Sequence, residues 1–185
     1  IVTTGLANVA NYGLIRGNNG IGISGGSVTA SNFTGGQIIG SIYGIAGTAL
    51  DITNAGQIVG ATYGVFASAV STITNSGTIA SGTVSGAAIT LAGFDAIYLA
   101  SGGTVTNQAG GALTGQRIGV LTGGGSALTL DNAGIISGNS FGAVYAQGGA
   151  TITNQSGGVI NGLGTAVGIY AAGAATITNA GLIDA

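Results

Sequence analysis

The sequence predicts an all-β fold, a right-handed parallel β-helix of about 7–8 rungs of ~22 residues, and three observations carry that prediction. A short Thr-Ile-Thr-Asn unit returns at near-regular spacing along the whole chain. Single Ile, Val or Leu residues sit between polar neighbours, which is the alternation of a strand with one face buried. Glycine supplies 40 of the 185 residues while Pro is absent, so corners are frequent and no strand is interrupted by a ring.

The clearest units are Ile52-Thr53-Asn54-Ala55-Gly56, Ile73-Thr74-Asn75-Ser76-Gly77, Val105-Thr106-Asn107, Leu130-Asp131-Asn132-Ala133-Gly134, Ile152-Thr153-Asn154 and Ile177-Thr178-Asn179-Ala180-Gly181. Weaker copies centre on Asn11 and Asn32, and successive Asn residues are 21, 22, 21, 32, 25, 22 and 25 positions apart. A leucine-rich repeat has a similar period, but its Leu/Asn consensus is missing. Each turn divides into three strands. The first points Val9, Ala30, Ile52, Ile73, Val105, Leu130, Ile152 and Ile177 inward, with outward Thr on both sides of several of them. The second points in Ile15, Ile38, Ile58, Ile79, Leu113, Ile136, Ile160 and Ile183 and usually ends on Gly, expected at a corner of positive φ. The third points in Ile45, Val65, Ile97, Val120, Val144 and Ile169, each followed by an outward residue: Phe66, Tyr98, Leu121, Tyr145 and Tyr170 follow the last five.

One turn cannot bury three such side chains, but stacked turns bury them in a single core. Eight turns at roughly 4.8 Å give a rod on the order of 40 Å long. The expectation is one domain over residues 1–185, with a loop excursion within 81–94 absorbing the extra length of the 32-residue turn. Loops on rigid scaffolds often carry recognition.

Asn11, Asn32, Asn54, Asn75, Asn107, Asn132, Asn154 and Asn179 form one predicted column. Asn tolerates the left-handed conformation at a corner, and its amide both donates and accepts, so stacked copies can bond along the axis as a structural ladder. Asn32-Phe33-Thr34 and Asn154-Gln155-Ser156 match the glycosylation acceptor pattern, but both lie in this column.

The Thr-Ile-Thr-Asn-x-Gly-x-Ile-x-Gly unit followed by Gly-Ile-Tyr-Ala, as at residues 168–171, resembles the passenger-domain repeats of bacterial autotransporters and related large secreted adhesins. The resemblance covers nearly the whole chain. It implies a β-helix, export across an outer membrane and an extracellular or cell-surface location; such passengers include adhesins, proteases and plain stalks.

Composition excludes several chemistries. The cations are Arg16 and Arg117, the acids Asp51, Asp95, Asp131 and Asp184, and Lys, Glu, His and Cys are absent. Zinc, haem and thiol sites lack their usual ligands, no cofactor is expected, and nucleic acid finds almost nothing to neutralise its phosphates. No run approaches the ~18 apolar residues of a membrane helix. The chain carries neither an initiator Met nor a leader, as expected of a mature product or an excised piece.

A polysaccharide-active enzyme comes last among the functions the sequence suggests. Glycoside hydrolysis normally needs two carboxylates within about 5–10 Å, whereas Asp51 and Asp131 are expected about three rungs, near 14 Å, apart. The four acids read as solvated charges. The Gly-rich stretches at 17–26 and 123–125 read as corners, since no Lys-Ser/Thr follows them. The outward Phe66, Tyr98, Tyr145 and Tyr170 form a candidate binding surface for a glycan, set against plain cross-strand stacking. The Thr-x-Thr pairs suggest ice binding, set against the β-propensity of Thr on an exposed face, and the rungs at 8–10, 51–53 and 129–131 break the pattern. Neither end shows a cap helix, and Arg16 and Asp184 align in one outward column at opposite ends. They are a candidate contact for head-to-tail self-association. The expectation is therefore an extracellular structural or adhesive rod, with a host surface or glycan as a further partner class.

Overall fold

The computed structural model describes residues 1–85 and 88–185 and is a right-handed parallel β-helix of about eight turns. The second strands of successive coils pair in one sheet: Leu14–Gly17, Gln37–Gly40, Gln57–Gly60, Thr78–Ser85, Ala112–Gly115, Ile135–Gly138, Val159–Gly162 and Leu182–Asp184. First and third strands share the other, larger sheet. The register is constant. Ile52, Ile73, Val105, Leu130, Ile152 and Ile177 are direct partners in turn, as are Ile38, Ile58, Ile79, Leu113, Ile136, Ile160 and Ile183. All but the terminal Ile177 and Ile183 of these are buried.

Sequence spacing describes three separate strands per turn. In two coils the third strand runs without a break into the next first strand, giving Ile21–Asn32 and Tyr43–Asn54. The bends fall at Gly25-Gly26 and Gly47, where missing side chains let neighbouring backbones approach closely. These corners also hold core residues that the three-column pattern omits: Val28 pairs with Leu50, and both are buried with Leu99 and Leu128. Ile23, inward on the third strand and fully buried, is a further one.

Two expectations about backbone conformation are overturned. Among the described residues only glycines have positive φ, so no ladder asparagine is left-handed. The glycines that end the second strands are not left-handed either. A Cβ on Gly40, Gly60 or Gly115 would strike the carbonyl of Tyr43, Tyr63 or Ile118, so close approach at the corner, not φ, demands glycine. Positive φ occurs instead at other glycines, among them Gly35, Gly110 and Gly157 inside the longer Asn-x-x-x-Gly turns.

The long coil extrudes a hairpin. Thr78–Ser85 begins as a regular second strand, with Ile79 beside Ile58, and then pairs antiparallel with Ala88–Leu91. The coil resumes at Asp95–Leu99, where Ile97 is beside Val65. Gly86 and Ala87, within the 81–94 segment, lie outside the described residues. The outward column of the second sheet runs Arg16, Ile39, Val59, Ala80, Thr114, Ser137, Asn161, Asp184. It is apolar only from Ile39 to Ala80, on the coils beside the hairpin, and there these outward residues are buried. A hairpin laid over that stretch of the rod removes apolar surface from water that a bare coil would expose.

Candidate functional site

Polar side chains are organised in three places, beginning with the asparagine column. Each Nδ2 donates to the Oδ1 of the next coil's asparagine: Asn11 to Asn32 at 2.7 Å, Asn32 to Asn54 at 2.8 Å, Asn54 to Asn75 at 2.7 Å, Asn75 to Asn107 at 2.9 Å, and Asn107 to Asn132, Asn132 to Asn154 and Asn154 to Asn179 at 2.8 Å. The same Nδ2 reaches backbone carbonyls of its own turn and of the next coil; Asn54, for example, donates to Gly56 O and Thr78 O. Every ladder asparagine except the last is buried, Asn32 and Asn154 included, which leaves those two glycosylation matches without an accessible amide.

The second place is an ion pair absent from the sequence expectations. Asp95 opens the third strand of the long coil, and Arg117 precedes Ile118, the partner of Asp95 one coil later. Arg117 donates twice, from Nε to Asp95 Oδ1 at 2.9 Å and from Nη2 to Oδ2 at 2.7 Å. The Asp95 side chain is fully buried, so the expectation of a solvated acid is corrected for this residue. Burial pushes the Asp95 carboxyl up, and the Arg117 hydrogen bonds and charge draw it part of the way back. Arg117 is raised in turn by its bond to Asp95. The guanidinium lies 4.9 Å from the Phe94 ring centre and 6.0 Å from that of Phe141. Both carboxylate oxygens of Asp95 are thus occupied. Asp51 is exposed, and Asp131 accepts from Gln155 Nε2 at 2.8 Å; they lie on one face, on either side of the inward column and three strand pairings apart.

The third place is aromatic. Phe66, Tyr98, Leu121, Tyr145 and Tyr170 occupy one register column, but the rings form two groups. Leu121, 5% exposed, separates them. Tyr145 stacks on Tyr170 with centres 4.3 Å apart. Phe66 and Tyr98, 5.5 Å apart, join a second column that sequence reading missed, in which Tyr43 stacks on Tyr63 at 5.5 Å and Phe94 flanks Tyr63. Aligning the rungs on Ile45, Val65, Ile97 and Val120 could have found it: Tyr43, Tyr63, Asp95 and Ile118 then share one position. The stacked pairs turn their faces to one another, whereas Tyr98 is tilted 58° to both Phe66 and Tyr63. The face-to-face pairs Tyr145–Tyr170 and Tyr43–Tyr63 have the geometry of cross-strand stacking.

Arg16 and Asp184 occupy one column on the first and last rungs of the second sheet, both exposed. The outer face of the first sheet carries full Thr-x-Thr rungs at Thr72/Thr74, Thr104/Thr106, Thr151/Thr153 and Thr176/Thr178. Among the described residues, no helix is long and apolar enough to cross a membrane.

Constant register, an axial asparagine ladder and an apolar core of stacked columns define the chain as a β-solenoid repeat protein. No known protein family, curated protein or solved structure gave a match to it.

Proposed function

We propose that the chain is an extracellular structural or adhesive rod of the autotransporter-passenger kind, built to hold its shape outside the cell. The observation that carries this reading is the unbroken run of seven axial Asn–Asn bonds, which ties every coil to the next from Asn11 to Asn179. Such a column resists bending and slippage, because a one-residue slip would turn every inward side chain out. Ala175–Asn179 is exposed throughout, and in a single copy its outer edge is paired with no strand among the described residues. Head-to-tail stacking of copies would pair such edges and bring Arg16 of one copy toward Asp184 of the next. The contact is heterologous, so it yields a filament. Sedimentation velocity with negative-stain microscopy tests this on the purified chain. The reading predicts rods that lengthen with concentration. A compact monomer at high concentration, with no fibres, contradicts the filament part.

The second reading is ice binding by the Thr-x-Thr face, favoured by the four intact rungs in one register. Thermal hysteresis of the purified chain, abolished by Thr104→Lys, would establish it; none at all would dismiss it.

A further inference from the structure

The hairpin leaves a cleft where it meets the regular coils. Arg16, Asn18, Ile39 and Ser41 from the coils and Thr83 and Val84 from the hairpin line it, around a volume of about 240 Å³. We infer that this cleft binds a carboxylate-bearing sugar of the hexuronate class.

Of the chain's two cations, Arg117 is taken up by Asp95. Arg16 has no ion-pair partner among the described residues, and it is exposed at the cleft. A guanidinium offers a planar fork of N–H donors that matches a carboxylate in two hydrogen bonds. The net charge of the chain is −2, so the protein has no broad field to collect anions, and any anion preference here belongs to Arg16 locally.

The shape and remaining chemistry narrow the class. Val84 and the small exposed part of Ile39 supply the apolar part of the lining, against which C–H groups of a pyranose can rest. The Asn18 amide and the Ser41 and Thr83 hydroxyls surround it with groups that both donate and accept, as ring hydroxyls require. The volume of about 240 Å³ falls just below the ~300 Å³ at which drug-sized sites begin and is room enough for one ring. Thr83 and Val84 come from the hairpin, while Arg16 and Ile39 are fixed by the strand register, so a variable element is set against a rigid one. The inference competes with the head-to-tail contact proposed above, because both use Arg16, so it is tested at a concentration where the chain is monomeric.

Nuclear magnetic resonance of the 15N-labelled 185-residue chain tests it. Sodium D-glucuronate should shift the amides of Ser41, Thr83 and Val84 saturably, while D-glucose, acetate and inorganic phosphate at equal concentration should not. Arg16→Gln should weaken binding about tenfold or more, and Arg16→Lys, which keeps the charge without the fork, should fall between. Thr83→Trp should block the cleft with Arg16 intact. No saturable shift with glucuronate, an equal response to acetate or phosphate, or binding unchanged in Arg16→Gln or Thr83→Trp would overturn the inference.

Discussion

Asn75 donates its side-chain amide to Asn107 at 2.9 Å, although 32 positions separate them where other ladder neighbours lie 21 to 25 apart. The bond is as short as its neighbours to within 0.2 Å, the ladder running from 2.7 to 2.9 Å. The extra residues are therefore extruded as a hairpin and do not widen the coil. Axial continuity takes precedence over coil length, because a gap would strand buried amide groups above and below it.

Replacing Asn107 with Ala should cost about 1–3 kcal/mol, chiefly for the buried Asn132 oxygen it strands, since the Asn75 amide keeps its bonds to Gly77 O and Ala112 O. Asn179→Ala, at the exposed end, should cost less than about 1 kcal/mol. Urea midpoints of the two variants compare them; equal losses would mean that the ladder adds nothing beyond local packing.

Inward and outward positions should differ sharply within one strand. Ile152→Ala or Ile136→Ala should cost about 2–5 kcal/mol, as buried large-to-small changes do. Thr153→Ala, on the outer side, should stay near 0.5 kcal/mol. Thermal or urea unfolding resolves a gap of that size.

Thr122 sits in the corner column between Leu99 and Ala146, fully buried, and its hydroxyl has no hydrogen-bond partner among the described residues. Thr122→Val should stabilise the fold by about 1 kcal/mol, because a methyl replaces a desolvated hydroxyl of similar shape. A loss of stability in the urea midpoint would show that the hydroxyl is bonded in solution.

The Asp95–Arg117 pair predicts a pH signature. The folded-state carboxyl lies above its ordinary value of 3.8, chiefly through burial. The native state therefore holds the proton more tightly than the unfolded chain does. The contribution of Asp95 to stability is greatest below the ordinary carboxylate range and is lost as pH rises through its raised value. Removing the cation in Arg117→Met should raise that value further and cost up to about 3–5 kcal/mol at pH 7, less for the solvent reaching a guanidinium that is 31% exposed. Much of the loss should return on acidification. Denaturant midpoints at pH 7 and pH 4 check the sign; a variant that loses more stability at pH 4 would contradict it.

The fold was legible because the regular coils repeat one pattern. Inward columns at Ile52, Ile58 and Val65 follow from alternation, and Asn54 marks the same corner in each turn. What escaped lies at the corners, where alternation fails. Tyr43 precedes Gly44 and does not alternate cleanly with Ile45, so its column with Tyr63 and Asp95 is visible only after whole rungs are aligned. Asp95 and Arg117 are 22 residues apart and become neighbours only through that alignment. The glycines at 40, 60 and 115 were recognisable as corners, but the carbonyl that excludes a side chain at each belongs to three-dimensional packing.

The central claim is that eight coils stack in constant register along one axis, and a distance along that axis tests it most directly. Asn8 and Thr176 occupy one exposed column on the first and last coils, seven strand pairings apart. The chain has no cysteine, so Asn8→Cys and Thr176→Cys can be spin-labelled without background. Pulsed electron–electron resonance should give one narrow distance on the order of 34 Å, from rungs of about 4.8 Å. A broad distribution, or a principal distance far from this one in dilute protein, would contradict the stacked rod.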